Sequence, residues 1–233
     1  FNSESKNYIG NLPNLSHTIS GHSYFTTSPD QKLIKERETL SESLKAVEGL
    51  KFWMSEYCIL GDNNGEIEGN GRDLGIDPAL YMAKVIHSDL AIANASAWHW
   101  WMAISPYDYK DGLIYIDKNK KDGNFYESKM LWVLGNYSRF IEPDSKRIKA
   151  SVSKDSSLLA SAYINKAKSK VTLVIINSEE KAIKIKQSLN NNDIVNFKSY
   201  TTSKDQDLAY TLNSESHIVI PERSIVTVVS DLK

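Results

Sequence analysis

The chain has one cysteine, Cys58, in 233 residues. A lone thiol closes no internal disulfide, so cysteine usage leaves the redox compartment open. Nowhere do about 18 apolar residues run together, so no membrane span is expected. The first residues, through Asn2-Ser3-Glu4-Ser5-Lys6, show no basic region followed by an apolar core, the mark of a signal peptide. No initiator Met opens the chain, which suggests a mature or truncated product. Arginines do not cluster, and the lysines of the second half are dispersed through strand-like sequence as solvated faces; no nucleic-acid partner is expected. There is no phosphate-binding Gly-rich loop and no Gly-x-Ser-x-Gly nucleophile elbow. His17, His87, His99 and His217 form no pair at helical i, i+4 spacing, and Asp117–Gly123 lacks the spacing and the closing Glu of a calcium loop. Neither a metal site nor a cofactor is expected.

What is present is the composition of a folded protein, 41% hydrophobic and 24% charged. The net charge of −1 conceals an asymmetry. Residues 1–145 hold 14 Lys and Arg against 20 Asp and Glu, and residues 146–233 hold 14 against 9. All five tryptophans lie in the first part.

The first part alternates strand and helix patterns. Thr18–Phe25 reads as a strand. Ser28-Pro29-Asp30 then offers an N-cap, a proline at the first helical position and an acid in the first turn. Leu33, Leu40, Leu44 and Val47 recur at helical spacing up to Gly49. Lys51–Tyr57 is the next strand, Asp77-Pro78 opens a helix through Ile92, and Ala95–Ile104 is a third strand. A short strand at Leu113–Ile116 and a helix over Ser128–Phe140 follow. That order is the signature of parallel βα units. Beyond Pro143 the pattern becomes short, β-branched strands: Ile148–Val152, Leu158–Ile164, Val171–Ile176, Ala182–Gln187, Phe197–Thr201 and Ile225–Val229. Polar turns such as Lys166–Lys170 and Asn190–Asp193 separate them, as in an antiparallel β-sandwich. Three βα units do not close a barrel of eight. The first part therefore reads either as a small open α/β domain or as the last units of a (β/α)8 barrel, and the abrupt start favours the barrel.

Chemistry concentrates at the strand ends. Lys51-Phe52-Trp53-Met54-Ser55-Glu56-Tyr57 runs an apolar strand straight into a carboxylate, where barrels and open α/β sheets collect catalytic groups. A surface glutamate is the plain alternative. Side chains alternate along a strand, so His22 and Tyr24 share a face, Met54 and Glu56 share one, and Trp98 and Trp100 share another. If those faces point into one barrel, the five residues His22, Tyr24, Glu56, Trp98 and Trp100 converge on one rim. A carboxylate beside hydrogen-bonding rings and flat aromatic faces suits a sugar; core filling is the alternative for the tryptophans.

Four pieces in order carry a family resemblance: Gly21-His22-Ser23-Tyr24, Phe52-Trp53-Met54-Ser55-Glu56-Tyr57, Ser96-Ala97-Trp98-His99-Trp100-Trp101, and Asn136 through Pro143. Together they resemble the carboxyl-terminal part of glycoside hydrolase family 30, whose members are retaining (β/α)8 glycosidases fused to a β-sandwich. The resemblance implies α/β plus all-β architecture: residues 1–145 as the last βα units of the TIM barrel, residues 146–233 as the sandwich. It implies Glu56 as nucleophile, His22 and Tyr24 in the sugar subsite, and Trp100, with Trp98, as the aromatic platform. It implies a β-linked poly- or oligosaccharide substrate, and the Gly-His-Ser-Tyr form is similar to members acting on β-1,6-galactan. An extracellular or periplasmic location follows from the same resemblance. The family's acid/base lies in an Asn-Glu pair at the fourth barrel strand, and no Asn-Glu dipeptide occurs here. The upstream half of the same barrel is therefore the expected partner. A non-catalytic carbohydrate-binding protein that keeps the platform is the rival reading.

Overall fold

The computed structural model describes residues 2–119, 121–153, 157–189, 194–213 and 217–233. Its contacts group into two compact units, residues 1–72 with 85–112, and residues 73–84 with 113–233.

The first unit is built on a three-stranded parallel sheet in the order β1-β2-β3, with β1 at Thr18–His22, β2 at Lys51–Tyr57 and β3 at Ala97–Trp100. The connection from β1 to β2 is helix α1, Asp30–Leu44. Of helix α2, Ile76–His87, only the end from Val85 onward belongs to this unit; it widens into a π turn at Ser88–Ile92 ahead of β3. The helix boundaries shift slightly from expectation. Pro29, extended at φ −68° and ψ 169°, caps α1 one residue later than Ser28, and α2 begins at Ile76. β1 ends three residues early, where Phe25 takes a left-handed φ of 60° that a strand cannot contain. The broad third strand narrows to four residues, with a separate two-residue strand β4 at Ile104–Ser105. On β2, Phe52 and Met54 are buried and Trp53 is 45% exposed, a period-2 pattern.

The second unit holds the hairpin of β5 (Ile114–Ile116) and β6 (Phe125–Glu127), helix α3 (Lys129–Ser138), and eight further strands. Six of these form one antiparallel sheet in the order β12-β11-β14-β9-β8-β7. Here β7 is Lys146–Ile148, β8 Leu159–Ile164, β9 Lys170–Asn177, β11 Ile194–Thr202, β12 Ala209–Asn213 and β14 Ser224–Leu232. The remaining pair, β10 (Ile183–Lys186) and β13 (His217–Ile220), is a separate antiparallel ribbon. Val226 and Val228 of β14 turn one way into a core with Ile175, Phe197, Ile218 and Ile220. Thr227, between them, turns the other way and exchanges hydrogen bonds with Asn136 of α3: Asn136 Nδ2 donates to Thr227 Oγ1 at 3.0 Å, and Thr227 Oγ1 donates to the Asn136 carbonyl at 2.6 Å. The alternation of β14 thus supplies both faces of the sheet. Two sequence expectations change here. The strand expected at Ile148–Val152 lies instead at Lys146–Ile148, and strands β6, β12 and β13 have no counterpart among the expected strands. The turn expected at Asn190–Asp193 lies outside the described residues. Among the described residues, no helix is long and apolar enough to cross a membrane.

Candidate active site

Strand β2 does not alternate cleanly to its end. Gly21 pairs with Met54, but His22 pairs with Glu56, so Ser55 is an extra residue on β2. The same insertion appears against β3, where Met54 pairs with Trp98 and Tyr57 with Trp100. An extra residue bends a strand and re-aims the side chains after it. Glu56 therefore does not simply continue the Phe52–Met54 face. The bulge makes it the direct cross-strand neighbour of His22.

Glu56 is half-buried. Its Oε1 accepts a hydrogen bond from the Tyr24 hydroxyl at 2.9 Å and lies 3.8 Å from His22 Nδ1. His22 and Tyr24 meet edge to face, with centroids 5.7 Å apart. Burial pushes the Tyr24 phenol far above its ordinary range, reinforced by Cys58 and Glu56, so its hydroxyl stays a donor at neutral pH. From Tyr24 a run of ring contacts leads to the tryptophans. Tyr24 touches Tyr57 at 5.7 Å, Tyr57 touches Trp98 at 6.3 Å and Trp100 at 6.0 Å, and the two indoles stack at 6.2 Å with 19° between planes. The structure thus brings His22, Tyr24 and Glu56 into mutual contact, and joins Trp98 and Trp100 to them through Tyr57.

The two indole N–H groups are tied differently. Trp100 Nε1 donates to the Asp111 carbonyl at 2.7 Å, a main-chain anchor. Trp98 Nε1 donates to Asp89 Oδ2 at 2.9 Å. Asp89 is a buried junction: Arg37 Nε of α1 donates to its Oδ1 at 2.8 Å and Ser23 Oγ reaches both oxygens at 3.1 and 3.0 Å. Burial pushes the Asp89 carboxyl up, opposed by Arg37, Trp98 and Ser23. The Arg37 guanidinium also donates to the Thr26 carbonyl and hydroxyl at 2.6 and 2.7 Å. This network fixes β3, α1, the π turn and the segment between His22 and Tyr24 to one another.

Sequence reasoning passed over Tyr57, Asp89 and Arg37. Arg37 had a visible signal, because it falls between Leu33 and Leu40 on the apolar stripe of α1. A charge there needs a buried partner.

The loops after β2 and β3 are tied to one another. The loop at Asp62–Gly71 closes on itself through Gly69 N to the Gly61 carbonyl at 2.8 Å and Asn63 Nδ2 to the Ile67 carbonyl at 2.9 Å. It is also laced to the segment Tyr107–Lys110. Asn70 and Tyr109 form an antiparallel bridge, Gly71 N donates to the Asp108 carbonyl at 3.0 Å, and Lys110 N donates to the Gly69 carbonyl at 2.9 Å. Lys110 Nζ adds bonds to the carbonyls of Asn70 and Gly71. Arg72 N adds one to Asp108 Oδ1 at 2.6 Å. A Cβ on Gly69 would stand 2.5 Å from the Ile59 carbonyl oxygen, so only glycine fits this crossing. No group of three or more His, Cys, Asp or Glu side chains able to hold a metal occurs among the described residues.

Against known proteins, the model of O-glycosyl hydrolase family 30 matches residues 1–115, and that of the glycosyl hydrolase family 30 β-sandwich domain matches residues 144–228. A conserved exported protein from Bacteroides fragilis is similar in structure with a TM-score of 0.83 and 29% identity, over 97% of this chain and 48% of its own. A family 30 endoxylanase from Clostridium papyrosolvens C71 gives 0.67 and 23%, over 92% and 48%. A family 30 subfamily 8 xylanase from Clostridium acetobutylicum gives 0.62 and 24%, over 81% and 44%. At those identities the two xylanases speak for the fold alone. The chain spans about half the length of the structures it matches.

Proposed function

The chain belongs to glycoside hydrolase family 30, and from that premise we propose that it is the carboxyl-terminal portion of a retaining β-glycosidase with Glu56 as nucleophile. The observation that carries the proposal is the placement of Glu56 at the end of β2, half-buried, with Oε1 held by the Tyr24 hydroxyl at 2.9 Å. In a double displacement, the free oxygen of Glu56 attacks the anomeric carbon while an acid/base protonates the departing glycosidic oxygen. Water then cleaves the glycosyl ester, with the same group as base. The two carboxyls must stand about 5–5.5 Å apart for this. The acid/base is proposed to come from the upstream half of the same barrel, of which residues 1–145 form the last βα units and to which residues 146–233 append the sandwich. His22 and Tyr24 would bind the sugar beside Glu56, and the stacked Trp98 and Trp100 would supply the aromatic platform.

The substrate class is a β-linked poly- or oligosaccharide, with β-1,6-galactan the first to test because of the Gly21-His22-Ser23-Tyr24 form. An extracellular or periplasmic setting accords with a polymeric substrate and with the exported relative.

The test is Glu56→Gln in the full-length protein. Turnover should fall by about 10⁴-fold or more, the scale of losing a covalent catalyst. A mechanism-based fluorosugar should label Glu56 in the parent protein and leave the variant unlabelled. Near-normal turnover of the variant would refute the assignment.

A further inference from the structure

Tyr24 has one hydroxyl proton and two neighbours that compete for it. Its oxygen lies 2.9 Å from Glu56 Oε1 and 3.8 Å from Cys58 Sγ. A carboxylate is a far better acceptor than a sulfur, so the proton points to Glu56 and the lone pairs of the phenol oxygen remain for the thiol. Cys58 is buried. Burial pushes its thiol above the ordinary range, with Asp111 and Glu56 adding to the effect and Tyr24 opposing it, so sulfur keeps its proton. The Tyr24 oxygen is the one hydrogen-bonding neighbour of that sulfur among the described residues. Glu56 is just as asymmetric. Both of its polar contacts, Tyr24 and His22, fall on Oε1, and none falls on Oε2 among the described residues.

We propose that Cys58 is a positioning residue: its S–H donates to the Tyr24 oxygen, holds the Tyr24 proton on Glu56 Oε1, and thereby reserves Oε2 as the oxygen that attacks the sugar. The proposal rests on Glu56 being the nucleophile. Cys58 touches no substrate and acts only through Tyr24. When Oε2 bonds to the anomeric carbon, Oε1 becomes the ester carbonyl and keeps the Tyr24 hydrogen bond. When water cleaves the ester, negative charge returns to a carboxylate already paired with that donor. A hydroxyl free to swing towards sulfur would serve neither step as well.

The experiment is a double-mutant cycle in the full-length enzyme, with kcat and KM measured for Cys58→Ala, Cys58→Ser, Tyr24→Phe and the Tyr24→Phe/Cys58→Ala pair. Cys58→Ala should lower kcat about three- to tenfold, the range of one modest hydrogen bond, with KM changed less than about twofold. Cys58→Ser, which restores a donor, should recover most of that loss. In the Tyr24→Phe background the alanine change should have no further effect on kcat, because the group it acts through is gone. An equal loss in both backgrounds, a serine variant no better than alanine, or an unchanged alanine variant would each overturn the proposal. Melting temperatures measured alongside identify a packing defect, which would lower kcat in both backgrounds. Glu56→Gln is assayed in parallel: its full activity would remove the nucleophile assignment itself, whereas its inactivity with an additive cycle would remove only the role of Cys58.

Discussion

Replacing Arg37 by methionine tests the buried junction under the candidate site. Methionine keeps most of the apolar stem but deletes the guanidinium. Three hydrogen bonds disappear, to Asp89 Oδ1 at 2.8 Å, the Thr26 carbonyl at 2.6 Å and the Thr26 hydroxyl at 2.7 Å. The side chains of Arg37 and Asp89 are only 4% and 2% exposed, so water cannot replace what is lost. Asp89 would keep two neutral donors, Ser23 and Trp98, and no counter-charge. Removing one partner of such a pair costs about 3–5 kcal/mol. An exposed pair behaves otherwise. Lys45 and Glu42 are 67% and 72% exposed, and breaking that bridge by Lys45→Ala should cost under about 1 kcal/mol. The assay is urea unfolding of the full-length protein followed by tryptophan fluorescence. In the Arg37→Met background, Asp89→Asn removes the stranded charge and should return at least half of the loss. A cost under about 1 kcal/mol for Arg37→Met, or a further loss on adding Asp89→Asn, would refute the reasoning.

Other substitutions separate sugar binding from folding. Trp100→Ala should weaken binding of a sugar ligand by about 1–3 kcal/mol, with little change in melting temperature if the ring is a platform; unfolding instead would assign it to the core. Gly69→Ala drives a Cβ against the Ile59 carbonyl, three residues past Glu56, and should lower kcat/KM about tenfold or more through misplacement of the strand end; unaltered kinetics would show that the loop does not support the site. Residues 1–233 expressed alone should hydrolyse nothing, since no partner carboxylate for Glu56 is proposed within them, and the edges of the parallel sheet should promote aggregation. Retaining activity from that segment would require an acid/base among its own acids, with Glu66 and Glu68 in the loop after β2 the first suspects.

Part of the candidate site was legible because strand ends and residue types are local signals. Glu56 after Phe52-Trp53-Met54 stands out by composition; His22 closes β1, whereas Tyr24 lies beyond the strand and reaches Glu56 from the turn that follows, not by strand period. The bulge at Ser55 was not legible, because an inserted residue shows only when a neighbouring strand supplies the register. Tyr57 was hidden for the same reason: simple alternation sets it opposite Glu56, yet it is 1% exposed and links Tyr24 to both indoles. Asp89 stands four residues after Val85 and three after Ile86 on an apolar stripe, but its partners Arg37, Ser23 and Trp98 are distant in sequence and show only in the folded chain. In the second unit, β13 carries a clean alternation, with Ile218 and Ile220 buried and Val219 exposed, but four residues are too few to stand out. β12 is an edge strand with Tyr210 and Leu212 largely exposed, and its sequence lacks the buried face that identifies a strand.

The lacing of Gly69–Arg72 to Tyr107–Lys110 joins two segments far apart in sequence into one cooperative element. Amide exchange in the two should share a single opening rate, since freeing either strands the donors of the other. Anyone grafting a loop from a relative onto this protein should therefore exchange both segments together: a single foreign loop would arrive without its mate, and the native one left behind would come loose.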